Sequence, residues 1–244
     1  MFIHRKTFTC LLTSVLTLLL ALLCHAQRPV QILYYRAASD APRDAYLYVG
    51  ESLVAETELP RDNFSETFEI PAGNFMLRFL PAVLEEGQKA PKGAPAVSIS
   101  EKWQKILLLV FEDKTNAAMP IRVQAIDASD KVFGPGSIYM VNFSEVGVAG
   151  TVGDKKLLLK PKAISIVKSP VSENGSYPAK LDKYVPGAKK PQRFIRQMWG
   201  QDDTVRQLLF ILPKPAPMHA TYYCAPISGL ESANKQKRVP DSRN

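Results

Sequence analysis

Histidine and cysteine are scarce in this 244-residue chain, with three of each, and His4, Cys10, Cys24 and His25 all fall within the first 26 residues. Beyond residue 26 only His219 and Cys224 remain. If the first 26 residues leave as a signal, the one remaining cysteine cannot close an internal disulfide, so no disulfide-stapled scaffold is expected and stability is left to a packed core. Two potential ligands fall short of the three or four that zinc takes, and no run of spaced acids around a central glycine marks a calcium loop. Any Ser-His-Asp or Cys-His site would have to run through His219, and no Gly-x-Ser-x-Gly elbow marks a nucleophile. Long apolar runs are also missing after residue 23, so no membrane-spanning segment is expected there. No segment repeats apolar residues at helical spacing over three turns.

What is present is ordinary globular composition, 46% hydrophobic and 22% charged, with 13 Gly and 19 Pro to supply turns. Residues 1–26 carry His4, Arg5 and Lys6, then the apolar stretch LLTSVLTLLLALL at 11–23, then Cys24-His25-Ala26. That order reads as a secretory signal cleaved after Ala26, since thirteen apolar residues are too few to span a bilayer. Cys24 follows Leu23, where a lipoprotein signal carries a small residue, so export without a lipid anchor is expected. The expected location is the periplasm, the cell surface or the medium.

Short runs rich in β-branched, aromatic and aliphatic residues recur between Gly, Pro, Asn and Asp. Strands are predicted at 30–36, 45–49, 65–70, 75–79, 106–111, 121–126, 138–143, 146–152, 156–159, 163–167, 194–199 and 205–212, with another strand-like run at 221–225. Ile121, Val123 and Ala125 are predicted to face a core, with Arg122 and Gln124 outward. The continuously apolar 106–111 suits a central strand covered on both faces. The stretch IDASDKVFGPG at 126–136 interrupts the rhythm, because proline lacks an amide donor and glycine admits positive φ. The expected fold is therefore all-β: two antiparallel β-sandwich domains of immunoglobulin or transthyretin type packed in tandem. Their expected limits are 27–130 and 131–228, followed by a flexible basic tail at 229–244. A hairpin inside a single sandwich is the competing reading of 126–136.

Charge divides near the same place. Residues 27–153 hold 12 Lys/Arg against 16 Asp/Glu, and residues 154–244 hold 17 against 7. Lys155, Lys156, Lys160 and Lys162 flank Leu157-Leu158-Leu159. Lys180, Lys183, Lys189, Lys190, Arg193 and Arg196 follow, with Tyr177 and Tyr184 nearby. A basic face with aromatics takes nucleic acid, anionic glycans or anionic headgroups, and export argues against nucleic acid. Lys155, Lys156, Lys160, Lys162, Lys180, Lys183, Tyr184, Lys189 and Lys190 are the candidate ligand-binding residues, set against the reading of a solvated lysine-rich face. No cofactor, metal or catalytic residue is expected. Trp103 and Trp199 adjoin strand-like runs and are assigned to packing rather than to sugar stacking. The adjacent pairs Glu85-Glu86, Glu112-Asp113 and Asp202-Asp203 point to opposite faces if extended and are assigned to solvated loops. Asn63, Asn142 and Asn174 begin Asn-x-Ser triplets that matter only in a eukaryotic secretory host.

The stretch Ala37-Ala38-Ser39-Asp40-Ala41-Pro42-Arg43-Asp44-Ala45-Tyr46 resembles the opening of a family of uncharacterised extracellular bacterial β-sandwich repeats of the S-P-D-A-P-x-V-D-V-Y type. Ser39, Asp40, Ala41, Pro42, Asp44 and Tyr46 carry the match, while the family's histidine and first proline are missing. Ile70-Pro71-Ala72-Gly73-Asn74-Phe75 is similar to the family's later turn into a strand. The resemblance implies a cell-envelope or secreted module and carries over no catalytic residue. The residues themselves predict turns: Ser39 and Asp40 bond nearby amides, Pro42 presets φ, and Gly73 admits a tight hairpin. The expected function is a non-catalytic envelope or secreted binding module whose partner is an anionic glycan or an envelope protein. The alternatives are a carboxylate-based glycan-processing enzyme and a structural assembly subunit.

Overall fold

The computed structural model describes residues 27–213, apart from 36, 38, 62 and 63, and the backbone of 219–226. The expected signal at 1–26, Asn63, the tail at 229–244 and the side chains of His219 and Cys224 lie outside the described residues. No helix occurs among the described residues, so none is long and apolar enough to cross a membrane.

Sixteen strands are described. The first eight are β1 (Gln27–Tyr35), β2 (Asp44–Val49), β3 (Ser52–Glu58), β4 (Phe68–Pro71), β5 (Phe75–Leu80), β6 (Ala96–Ile99), β7 (Ile106–Glu112) and β8 (Ile121–Asp127). The second eight are β9 (Ile138–Asn142), β10 (Gly147–Val152), β11 (Lys155–Leu159), β12 (Ile164–Val167), β13 (Gly175–Tyr184), β14 (Gln192–Gln201), β15 (Val205–Leu212) and β16 (His219–Pro226). They form four sheets: sheet I in the order β3-β2-β5-β6, sheet II β4-β1-β7-β8, sheet III β12-β9-β15-β16 and sheet IV β11-β10-β13-β14. Sheets I and II draw only on the first eight strands, and III and IV only on the second eight.

Adding eight to each strand number of sheets I and II gives sheets IV and III. The sense of every pairing is also kept: β1 runs parallel to β7 and β9 parallel to β15, and all other pairs are antiparallel. The chain thus repeats one eight-strand connectivity twice. Each repeat places one parallel pair in an otherwise antiparallel sandwich, a departure from the all-antiparallel expectation. A parallel pair needs a crossover, and here the chain builds the opposite sheet between the two partners.

Three apolar clusters order the layers. Val30, Ile32, Tyr34, Ile106, Leu108 and Val110 of sheet II meet Leu47, Leu77, Phe79 and Ile99 of sheet I. Ile138, Met140, Leu209 and Ile211 of sheet III meet Val148, Leu157, Tyr177 and Leu181 of sheet IV. The intervening cluster joins the opposite faces of sheets II and III through Leu33, Tyr35, Leu107, Leu109, Phe111, Tyr139, Val141, Leu208 and Phe210. The order of layers is I, II, III, IV. Strand β7 is buried from Ile106 to Phe111 because sheet I covers one face and sheet III the other, as its continuous apolar run predicts. Each such side chain contributes roughly 1.5–3 kcal/mol by leaving water. Tyr35, Phe111, Phe143 and Phe210 meet at centroid separations from 5.1 to 6.3 Å across this central layer. Arg122, outward from the first sandwich as predicted, lies 4.2 Å from the Phe111 centroid and 5.7 Å from that of Phe143.

Two buried cations fasten loops to strands. Arg28 donates to the carbonyls of Pro71, Gly73, Ser100 and Trp103, tying the β4–β5 turn and the β6–β7 loop to the start of β1. Arg206 of β15 donates to the carbonyls of Ala128 and Phe133, fixing the connector between the two sets of strands. Residues 128–137 therefore lie against the second set rather than hanging as a linker.

Three strands lie outside the predicted set. Acids punctuate the alternation of β3, and β6 has only four residues. Strand β13 contains Pro178, which reads as a break. Gly153 N–H donates to Pro178 O, so the missing Pro178 amide falls just past the last β10–β13 rung and costs the ladder little. Asn142 is fully buried: its amide donates to the Val146 and Lys160 carbonyls, and its Oδ1 accepts from Ser144. That triplet is a turn device inside the fold.

Candidate binding face on the fourth sheet

Alternation along a strand sends neighbouring side chains to opposite faces, so the register of sheet IV determines what its outer face carries. Tyr177, Ala179 and Leu181 of β13 point into the core, which leaves Pro178, Lys180 and Asp182 outward. Thr151 and Arg196 stand opposite Lys180, and Lys156 stands opposite Thr151, giving a transverse row Lys156, Thr151, Lys180, Arg196. The next row is Leu158, Ala149, Asp182 and Arg193, shifted by a bulge between Leu181 and Asp182. Leu158 is 71% exposed and Met198, opposite Pro178, is 63% exposed. Two large apolar side chains thus flank a row of three cations on a solvent-facing sheet.

Within this face Arg196 is already engaged. Its guanidinium pairs with Asp182 and donates to the carbonyls of Leu181 and Ile195, which holds it flat on the sheet. Lys156 and Lys180 carry no ion pair among the described residues and are exposed. A shallow depression of about 220 Å³ lies beside them, lined by Pro178, Lys180, Arg196 and Met198.

The nine candidates from the sequence do not form one site. Lys156 and Lys180 share the outer face. Lys155 has the opposite parity, at the rim of the strand, because Leu157 and Leu159 of the same set enter the core. Lys160 and Lys162 follow β11 in the turn, where Lys162 pairs with Glu145 at 2.8 Å and donates to the Phe143 carbonyl. Lys183 has inward parity and is half-buried. Tyr184 ends β13 half exposed, and Lys189 and Lys190 are exposed in the β13–β14 connection. Tyr177 is buried and meets Trp199 edge-on at 6.5 Å. Leu158, Pro178 and Met198 complete the face and lie outside the nine sequence candidates. The alternation of Ser176, Pro178, Lys180 and Asp182 against Tyr177, Ala179 and Leu181 is the sequence signal that marks this face.

The other sequence candidates take structural positions. Trp103 packs against the first core and Trp199 against the third. Glu112 pairs with Lys114 at 3.2 Å. Asp113 and Asp202 each accept from the amide and hydroxyl of a threonine two residues on, which holds both carboxyls below the usual aspartate value.

A cleft of about 530 Å³ opens at the other end of the molecule, between β3 and residues 64–68, lined by Glu56, Glu58 and Glu66. All three glutamates are exposed, and Tyr46 hydrogen-bonds Glu56, whose charge holds the phenol above its ordinary value. Pro60, Phe64 and Phe68 line the same cleft.

Among the described residues the fold is a helix-free, four-layer β-sandwich with an exposed basic outer sheet. No protein-family model and no curated protein matches the chain.

Proposed function

We propose that the chain is an exported, non-catalytic binding module that uses the outer face of sheet IV to hold an anionic partner. The observation that carries this reading is the row Lys156, Thr151, Lys180 and Arg196, bordered by Met198 and Leu158 on a surface without a deep cleft. Two lysines with free ammonium groups supply long-range attraction, and the apolar flanks supply contact area that salt does not screen. The resemblance of 37–46 to extracellular repeat modules and the apolar leader at 11–23 support an envelope or secreted setting.

The test is titration of a sulfated or uronic-acid polymer at about 25 mM and about 0.5 M salt, which brackets strong and weak screening. Binding at low salt that weakens about tenfold or more in Lys156→Glu/Lys180→Glu, with Lys189→Glu/Lys190→Glu less affected, supports the face. Binding that ignores Lys156 and Lys180, or no salt-sensitive binding of any anionic partner, defeats it.

A further inference from the structure

Sheets end at edges, and the backbone groups at two of these edges can be assigned. Gly153 N–H donates to Pro178 O, so the backbone groups of Pro178, Lys180 and Asp182 face β10 and those of Tyr177 and Ala179 face β14. Tyr177 and Ala179 stand opposite Trp199 and Gln197, which turns the amides and carbonyls of Arg196 and Met198 toward the open side of β14. Gly200 points the same way, but its carbonyl accepts from Gln207 at 2.9 Å, closing that end. On sheet I, Leu59 N–H donates to Arg43 O. The same alternation turns Thr57 toward β2, and Glu56 and Glu58 toward the open side of β3.

These two edges are unlike in charge. Strand β3 presents Glu56 and Glu58, both exposed, beside Asp44 on β2. Strand β14 presents Arg193 and Arg196 beside Lys180 on β13. They are also long: seven residues in β3 and ten in β14, against four in β4, β6 and β12, lengths that blunt an edge. An antiparallel register that sets Glu58 opposite Arg196 sets Glu56 opposite Met198. All four residues then offer their free backbone groups to one another, with their side chains on one face. Two β3 edges, or two β14 edges, would instead place like charges together.

We infer that the anionic partner of the β14 edge is a second copy of this chain, joined by strand addition of β3 from one copy to β14 of the next. This rests on the reading of sheet IV as an anion-binding surface and names its occupant. The contact is heterologous, since each copy contributes a different edge, so copies join in series or close into a ring. Opposite charge sets partner and register, and the backbone ladder supplies the directional bonds.

Sedimentation velocity on the chain from Gln27 to Asn244, which contains every described strand, tests this over about 1–100 μM at about 25 mM and about 0.5 M salt. The expected result is mass that grows with concentration at low salt and falls toward the monomer at high salt. Glu56→Lys/Glu58→Lys and Lys180→Glu/Arg193→Glu should each be monomeric alone, with unchanged circular dichroism, and should associate when mixed, because each restores the other's lost junction. Met198→Pro removes one outward amide without touching the β13 ladder and should weaken association about tenfold or more. A wild-type chain that stays monomeric at low salt, or association that survives both charge reversals, overturns the inference. Polymer binding by a chain that remains monomeric would overturn it while leaving the proposed function standing. Loss of both polymer binding and association removes both.

Discussion

Replacing Arg28 with Met removes a side-chain donor from four main-chain carbonyls at one end of the first sandwich, of which Ser100 O keeps the Trp103 N–H. Nη1 donates to Ser100 O at 2.6 Å and Trp103 O at 3.3 Å, Nη2 to Pro71 O and Gly73 O at 2.9 Å each, and Nε to Pro71 O at 3.2 Å. The guanidinium also lies 5.4 Å from the Phe75 centroid. Methionine keeps the length of the stem, so little cavity opens and the cost falls on the polar groups. Charge-assisted bonds are worth roughly 1.5–3 kcal/mol each, but the guanidinium's own burial, which lowers its pKa, offsets part of their sum. No charge is left behind, only neutral carbonyls, and each one left without a donor costs about 1–3 kcal/mol; the low end applies because water reaches the loops once the side chain is gone. At about 2–4 °C per kcal/mol for a chain of this size, a loss of about 3–4 kcal/mol lowers Tm by roughly 6–16 °C. Arg28→Lys should lose about half as much, since one ammonium cannot span both loops. Thermal melts followed by circular dichroism measure the loss. Amide exchange should localise it to residues 71–76 and 100–105. A loss under about 1 kcal/mol, or exchange unchanged in those turns, refutes the argument that Arg28 holds them.

Gly150 sits where an added Cβ would stand 2.0 Å from the Lys180 carbonyl oxygen, with its φ at +153°, so Gly150→Ala should cost about 3 kcal/mol or more in urea unfolding; a near-neutral result would show that β10 and β13 are not so tightly apposed. Burial pushes the phenols of Tyr34, Tyr139 and Tyr177 up to about 12, with nearby Glu112 and Asp40 adding to the effect at Tyr34 and Asp127 at Tyr139. A phenol whose pKa is raised on folding favours the folded state fully below its unfolded value of about 10, and that stabilisation is lost as pH rises from about 10 toward about 12. Urea midpoints should therefore fall across that window, and ultraviolet titration should show three phenols ionising late; three phenols titrating near 10 in the folded chain would contradict their burial.

Much of the strand content was legible because it is a local property. Ile121, Val123 and Ala125 alternate with Arg122 and Gln124, and the continuous run from Ile106 to Phe111 signals a strand covered twice, since both patterns follow from which side chains must leave water. Strand β13 was hidden for an equally local reason: Pro178 signals a break, and only the end of the β10 ladder at Gly153 explains why a proline is accepted there. The basic segment was visible as composition, but its geometry was not. Lys155 and Lys156 are neighbours in sequence and part company on the sheet, while Lys156, Lys180 and Arg196 are distant in sequence and form a row.

By itself the sequence determined an all-β chain, a break in rhythm near residues 126–136, a scarcity of histidine and cysteine beyond residue 26, and opposite charge in its two halves. These depend on residue types and short-range spacing. The tertiary structure alone decided that the eight-strand connectivity is repeated, that Leu33, Phe111, Tyr139 and Phe210 meet in a shared central layer, and that Glu56 and Glu58 end on one open edge and Arg196 and Met198 on another. Each of those depends on register between strands far apart in the chain, and a shift of one residue would turn every side chain to the other face.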